Sequence, residues 1–150
     1  IAFTAKNCDN TIPLKVKFLK EDLDILNKFK INIEKIRNKI DEQDINFYIE
    51  YIVNSLFEAN KYFNDQEPWK KKDDIVRLGT IVYTTLEIIR KISFLLYPII
   101  PDSSLKALKI FDIKEEEIIF STIENHNYLE PGNKINKIDI LFSKIDKKDD

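Results

Sequence analysis

Eleven residues, Ala59 to Trp69 (ANKYFNDQEPW), hold the densest concentration of usable chemistry in the chain. An amide (Asn60), an ammonium (Lys61) and two rings (Tyr62, Phe63) lead through Asp65, Gln66 and Glu67 into Pro68 and the single tryptophan. Proline disfavours right-handed helical geometry at the residue before it, so a helix running through Phe63 ends or kinks at Glu67. Trp69 is thereby expected at a helix end. A large flat ring there either plugs the top of a core or offers a stacking face to an unpaired base. Lys70, Lys71 and Lys72 follow directly and supply possible phosphate contacts, partly offset by Asp73 and Asp74.

Other chemistry is sparse. Only three arginines are present, Arg37, Arg77 and Arg90, so bidentate readout of base edges has few candidates. Arg90 lies among apolar neighbours, where its stem can pack and its head can pair with an acidic group. Asn60 and Tyr62 read first as structural residues, Asn60 able to hydrogen-bond a loop backbone and hold it open, with an outward reach towards a bound base as the alternative. His126 has no second histidine nearby and Cys8 is the only thiol, so no metal site and no activated nucleophile can be assembled. His126 reads as a surface residue, Cys8 as a small half-buried thiol, and Glu115 to Glu117 as a solvated helix face. No catalytic residue is assigned.

The chain has 150 residues, 43% of them hydrophobic and two of them glycine, which suits one compact domain over 1–150. Lys and Arg (24) nearly balance Asp and Glu (26), and the sequence pI of about 5.6 argues against nonspecific attraction to polyanions. The charge is uneven, +4 over residues 1–40 and −6 over the rest, so an anionic partner should meet the N-terminal part. One cysteine rules out an intramolecular disulfide framework and suits a reducing, cytoplasmic location. No stretch is apolar enough to serve as a signal segment or to span a bilayer, so neither membrane nor secretion is expected. The chain opens on Ile1 and contains no methionine, which suggests part of a longer protein.

The elements that would position the tryptophan are helices. Leu26, Phe29, Ile33, Ile36 and Ile40 recur at helical spacing and predict an amphipathic helix over about 20–41, with Glu21, Asp22 and Asp24 at its positive end. Ile45, Ile49, Ile52, Leu56, Ala59 and Phe63 predict a second, capped near Asp44 and feeding into Pro68. Ile75, Leu78, Val82, Leu86, Ile89, Ile92 and Leu96 predict a third, capped at Asp73 or Asp74 and stopped by Pro98. Before them, residues 1 to about 7 read as the tail of another helix ending in the turn-forming Asn7 to Asn10. After them, Pro98 to Pro101 makes a corner, Asp102 or Ser103 can cap a short helix through Leu105, Leu108 and Phe111, and a further turn or two fits residues 115–123. The segment from Pro131-Gly132 carries Ile138, Ile140, Leu141 and Phe142, apolar enough to lie across the bundle. The fold class is all-α, a bundle of three long amphipathic helices with shorter ones.

Four separated features now stand in order: Asn60-x-Tyr62 followed, after five intervening residues, by Pro68-Trp69; the helix with its arginine and the Pro-x-x-Pro corner within LEIIRKISFLLYPIIP (86–101); and LEPGNKINKIDILFSKI (129–145) with its Pro-Gly-x-x-Ile. In this arrangement the chain resembles the anticodon-binding domain of bacterial methionyl-tRNA synthetases, over nearly its whole length. The resemblance implies a class I synthetase helical bundle in which the tryptophan after the proline, Trp69 here, stacks on a base of the CAU anticodon. It adds Pro68, Asn60 and Lys61 to the anticodon-binding set. The family's Asn-x-x-x-Arg element would fall before Ile1, so the first helix is expected to be truncated. It further implies methionine and initiator tRNA as partners, no DNA, and a catalytic nucleotide-binding domain in cis. That domain would use ATP with Mg, whereas this portion would need no cofactor and holds neither catalytic signature. Two other readings remain: a helical protein-interaction module using an exposed apolar stripe, and the anticodon domain of another class I synthetase.

Overall fold

The computed structural model describes residues 1–137 and 141, with the side chains of residues 30–33 outside the description. Among the described residues, six α-helices form in chain order: α1 (Ala2–Asn7), α2 (Lys20–Asp41), α3 (Ile45–Gln66), α4 (Ile75–Leu96), α5 (Pro101–Leu108) and α6 (Phe120–Glu124). Single 3-10 turns occupy Pro68–Lys70, Lys109–Phe111 and Glu115–Glu117. Among the described residues the only β-type pairing is an isolated bridge between Thr11 and Lys134. The three long helices pack on one another, α5 packs on α4, and α6 closes against α2. The all-α bundle expected from periodicity is the observed architecture.

Local chemistry explains most boundaries. Asp44 accepts from the Phe47 amide at 3.0 Å and Asp74 from the Arg77 amide at 2.9 Å, each satisfying an N–H the helix leaves orphaned. Asp22 reaches back to the Leu19 amide at 2.8 Å and performs the same service for α2. The start of α5 differs from expectation: Ile100 precedes the helix and Pro101 opens it, while Asp102 and Ser103 lie inside. A proline at the first helical position loses no hydrogen bond, so the corner itself starts the helix.

The exposed and buried faces depart from the expected rows in two helices. On α4, 16 of 22 residues are buried, including Tyr83, Thr84, Glu87, Arg90 and Lys91, because it runs through the middle with neighbours on every side. Ile75, placed on its apolar row, lies in the first turn at the bundle's edge and is 77% exposed. On α3 the buried face is Tyr48, Ile52, Ser55 and Tyr62, whereas Ile45, Ile49 and Leu56 stay exposed. Ile52 of the expected row is buried and Ala59 and Phe63 half-buried, and the phenol rings join them inside because their hydroxyls find partners: Tyr48 donates to the Leu95 carbonyl and Tyr62 to Asp22. On α2, Leu26, Phe29 and Ile36 are buried and Ile40 half-buried, as expected; the Ile33 side chain lies outside the description. Ile138, Ile140 and Phe142 also lie outside the described residues.

The loop before α2 lies against α4 through a close backbone approach. A Cβ on Gly79 would stand 2.8 Å from the Leu14 carbonyl oxygen, so only glycine fits there. Thr80 Oγ1 accepts from the Val16 amide and donates to the Val76 carbonyl, tying the same loop down.

Candidate nucleic-acid interface

Trp69 sits in the 3-10 turn directly after α3. Glu67 takes a left-handed conformation, φ 45° and ψ 55°, as the α3 C-cap, a conformation that ends helices, while Pro68 disfavours the right-handed helical one there. Pro68 is buried, and the turn closes with Lys70 N donating to Glu67 O at 2.9 Å and Lys71 N to Pro68 O at 3.1 Å. Trp69 remains 42% exposed. Its ring packs on Phe63 with centroids 6.0 Å apart and planes at 58°, and Phe63 meets Phe3 of α1 edge-on at 5.5 Å and 87°. The indole is therefore supported on one side and open to solvent over much of its surface.

A buried carboxylate fixes the helix ends around that turn. Asp22 of α2, 0% exposed, accepts from Arg77 Nη1 at 2.5 Å and Nη2 at 2.9 Å, from the Tyr62 hydroxyl, and from the Leu19 amide. Arg77 Nη2 also donates to Gln66 Oε1 at 2.5 Å. One ion pair thus gathers the start of α2, the end of α3 and the start of α4, the last two flanking the turn that carries Trp69. Burial pushes the Asp22 carboxyl upward, but the hydrogen bonds from Arg77, Tyr62 and Leu19 and the Arg77 charge outweigh it and hold the group below the ordinary carboxylate range. Burial, with the neighbouring Asp22, pushes the Tyr62 phenol well above its usual value. Tyr62 is consequently a core residue with no face for RNA, the structural one of the two readings open to it from its place in the run.

The lysines differ among themselves. Lys70 and Lys72 are exposed and Lys71 is half-buried. Lys70 Nζ lies 2.7 Å from Glu67 Oε1, both side chains well solvated, an exchangeable pair of small energy. Asn60 and Lys61 are exposed on the last turns of α3. Among the described residues the Asn60 amide makes no side-chain hydrogen bond, so it does not staple a loop. Asn60 and Phe63 face a cavity of about 520 Å³ between α1, α3, α4 and α5. Among the described residues no charged side chain or histidine lines this cavity, so it offers no acid–base pair.

Of the three arginines, Arg77 is spent on Asp22 and Arg90 is 0% exposed. Arg90 Nε donates to Glu87 at 2.8 Å, and its other nitrogens donate to the Thr122 and Asn125 carbonyls at 2.9 and 2.7 Å, with the Tyr128 ring 4.6 Å away. This is the expected structural ion pair, and it anchors the segment after α6 to α4. No short-range pattern signals that Lys91 is buried beside it, bonding the Ile123 carbonyl and, at 2.8 Å, that of Asn125. Burial and the adjacent Arg90 bring its ammonium down to about 7, against the opposing pull of Glu87 and Glu124. Arg37 is exposed over the Phe120 ring, some four turns along α2 from Asp22, roughly 20 Å from the tryptophan end. None of the three thus offers a free guanidinium beside Trp69.

His126 is half-buried with Nε2 3.3 Å from Asn27 Oδ1, a packing contact with α2 in place of the expected free surface position. Cys8 is half-buried, and burial together with Asp9 raises its thiol, which makes it a poor nucleophile. Among the described residues no cluster of histidine, cysteine and carboxylate could hold a metal, and no helix is long and apolar enough to cross a membrane.

Comparison with known proteins bears on this geometry. Residues 12–150 match the family model described as the anticodon binding domain of methionyl tRNA ligase. A methionine–tRNA ligase of Brucella suis is 32% identical over 82% of the chain and 24% of the relative. One of Rickettsia felis is 30% identical over 97% of the chain and 29% of the relative. The free-state methionyl-tRNA synthetase of Mycobacterium tuberculosis superposes with a TM-score of 0.87 at 27% identity, covering 97% of this chain and 30% of that one. A second structure of that enzyme, bound by methionyl-adenylate, gives 0.85 at 28% identity over 94% and 28%. The chain spans about a quarter to just under a third of the length of these relatives. With a helical bundle, an exposed indole at a broken helix end and a family match over almost every residue, the chain belongs to the anticodon-binding domain family of methionyl-tRNA ligases.

Proposed function

We propose that this chain reads the CAU anticodon of methionine and initiator tRNA by stacking Trp69 on an unpaired anticodon base. The observation that carries the reading is the 42% exposure of an indole whose other side rests on Phe63. Splayed loop bases are recognised by stacking on aromatic faces together with hydrogen bonds to their edges. Asn60 and Lys61, exposed on the adjoining turns of α3, are the groups proposed to meet base edges or backbone, with Pro68 as the rigid support of the ring. Lys70, Lys71 and Lys72 are proposed to meet phosphates, Lys70 by exchanging its solvated Glu67 partner for a phosphate. The buried arginines leave sequence discrimination here to stacking and amide contacts.

The longer protein is proposed to be a cytoplasmic methionine–tRNA ligase, whose catalytic domain in cis forms methionyl-adenylate from methionine and ATP with Mg and passes the amino acid to tRNA. This portion supplies recognition and no catalytic group. Titrating the chain with an anticodon stem-loop bearing CAU should quench Trp69 emission, and Trp69→Ala should weaken binding by about 1 to 3 kcal/mol, roughly 5- to 150-fold. Equal quenching by a loop of unrelated sequence, or none by CAU, would overturn the reading. A second reading rests on the apolar row Ile45, Ile49, Val53 and Phe57 on the outer face of α3, with Phe57 68% exposed. It makes the domain a helical interaction module. In that case Phe57→Ser abolishes partner capture while RNA leaves the indole signal unchanged.

A further inference from the structure

Among the described residues the indole N–H of Trp69 finds no hydrogen-bond partner, so no polar tether sets the angle of the ring. Its orientation comes from packing alone. Backbone geometry fixes where Trp69 begins, since Pro68 is buried and Glu67 is locked in a left-handed cap. The two side-chain torsions remain, and the ring in contact with the indole is Phe63, tilted 58° to it at 6.0 Å. Phe63 is itself held edge-on by Phe3 at 5.5 Å. Phe3 belongs to α1, where its carbonyl accepts from Asn7 at 2.8 Å. Just beyond α1 the chain is pinned by the Thr11–Lys134 bridge and by the Ile12 amide donating to Asn133 at 2.8 Å. Three rings from three elements thus form a row from the bundle to the solvent face.

We propose that Phe63, backed by Phe3, is a positioning residue that sets the plane of the Trp69 indole for the anticodon base, so that part of the RNA affinity resides in a side chain that does not touch RNA. The inference rests on the reading of Trp69 as the stacking ring. Stacking rewards a ring already aligned, because an indole that rotates freely must be ordered when the base arrives. Aromatic pairs prefer offset or tilted arrangements and resist others, which is the property an aliphatic side chain at position 63 lacks. The order of support is therefore Phe3 fixing Phe63, Phe63 fixing Trp69, and Trp69 meeting the base.

Trp69 is the only tryptophan, so indole emission, excited selectively over the six tyrosines, reports on this ring alone. The test compares Phe63→Leu and Phe63→Tyr, each alone and with Trp69→Ala: time-resolved fluorescence anisotropy is read where Trp69 is present, and affinity for the CAU stem-loop is read for every variant by isothermal titration calorimetry. Phe63→Leu should enlarge the fast depolarising component and weaken binding roughly 2- to 10-fold, the range an aromatic orientation preference can carry. Phe63→Tyr keeps the ring and should restore both readouts. In the Trp69→Ala background, Phe63→Leu should cost nothing more. If Trp69→Ala weakens binding while Phe63→Leu changes neither anisotropy nor affinity, the positioning role is overturned and base stacking stands. If Trp69→Ala itself leaves affinity unchanged, both fall. Should Phe63→Leu be unfolded at the assay temperature by circular dichroism, Phe63→Met, which refills the volume without a ring, carries the same comparison.

Discussion

Asp22→Asn tests the account of how the tryptophan end of the bundle is held. The carboxylate accepts four hydrogen bonds: two from Arg77, one from Tyr62 and one from the Leu19 amide. An asparagine of the same shape retains one acceptor oxygen and turns an NH2 towards a pair of donors in either orientation. It also leaves the Arg77 guanidinium, 12% exposed, without its counter-charge. Breaking a buried pair from one side costs about 3 to 5 kcal/mol. Gln66 still accepts from Arg77 and the guanidinium retains some water, so about 3 kcal/mol, the lower end of that range, is expected. At about 2 to 4 °C per kcal/mol for a chain of this length, that lowers the thermal midpoint by roughly 6 to 12 °C.

Urea unfolding gives the loss directly, and a cycle with Arg77→Met isolates the pair, with a coupling above about 1.5 kcal/mol expected. The pH dependence adds a second signature. The folded-state carboxyl lies below its unfolded value, so its contribution is complete above the ordinary carboxylate range and fades as pH falls through the depressed value. Wild type should therefore lose its advantage over Asp22→Asn on acidification. A coupling near zero, or a stability difference flat in pH, would refute the claim that this ion pair gathers the three helix ends.

Further expectations rest on separate features. Gly79→Ala places a methyl 2.8 Å from the Leu14 carbonyl and should destabilise by about 1 to 3 kcal/mol in urea titrations, whereas alanine in an open helix position would be neutral or better. Glu67→Gly removes the cost of a left-handed side-chain residue and should stabilise by about 0.5 to 1 kcal/mol, read as a raised thermal midpoint. For Lys91, whose folded value near 7 lies below its unfolded one, the unfolded chain binds the extra proton between the two, so stability rises with pH across that window. The stability of wild type relative to Lys91→Met should consequently grow by a few kcal/mol from about pH 7 to about pH 10, measured by urea unfolding at each. Replacing Lys70, Lys71 and Lys72 by alanine should flatten the salt dependence of stem-loop binding by about 0.7 for each phosphate no longer neutralised.

How far the residues alone foretell this arrangement follows from what each signal measures. Helix identity and ends are matters of local chemistry: apolar spacing, the Asp44 and Asp74 caps, and the break at Pro68 act within a few residues of themselves, so the written order suffices to find them. Resemblance over the Asn60 to Trp69 run and the later Pro-x-x-Pro and Pro-Gly features points to the family for the same reason: the features keep their order and spacing. Which face of α3 turns inward is not local. Tyr48 and Tyr62 join Ile52 in the core only because Leu95 and Asp22 arrive from other helices to satisfy their hydroxyls. Arg77 is by type a candidate reader of bases, but Asp22, 55 residues earlier, occupies its fork.

An all-helical chain, its caps and breaks, and a tryptophan just beyond a helix end are written in the order of the residues. Only the packed molecule settles that this indole is half open, that Phe63 and Phe3 stand behind it, and that one buried carboxylate binds the surrounding helix ends together. Burial and side-chain pairing between distant segments depend on how helices are juxtaposed, and no short-range pattern encodes that juxtaposition.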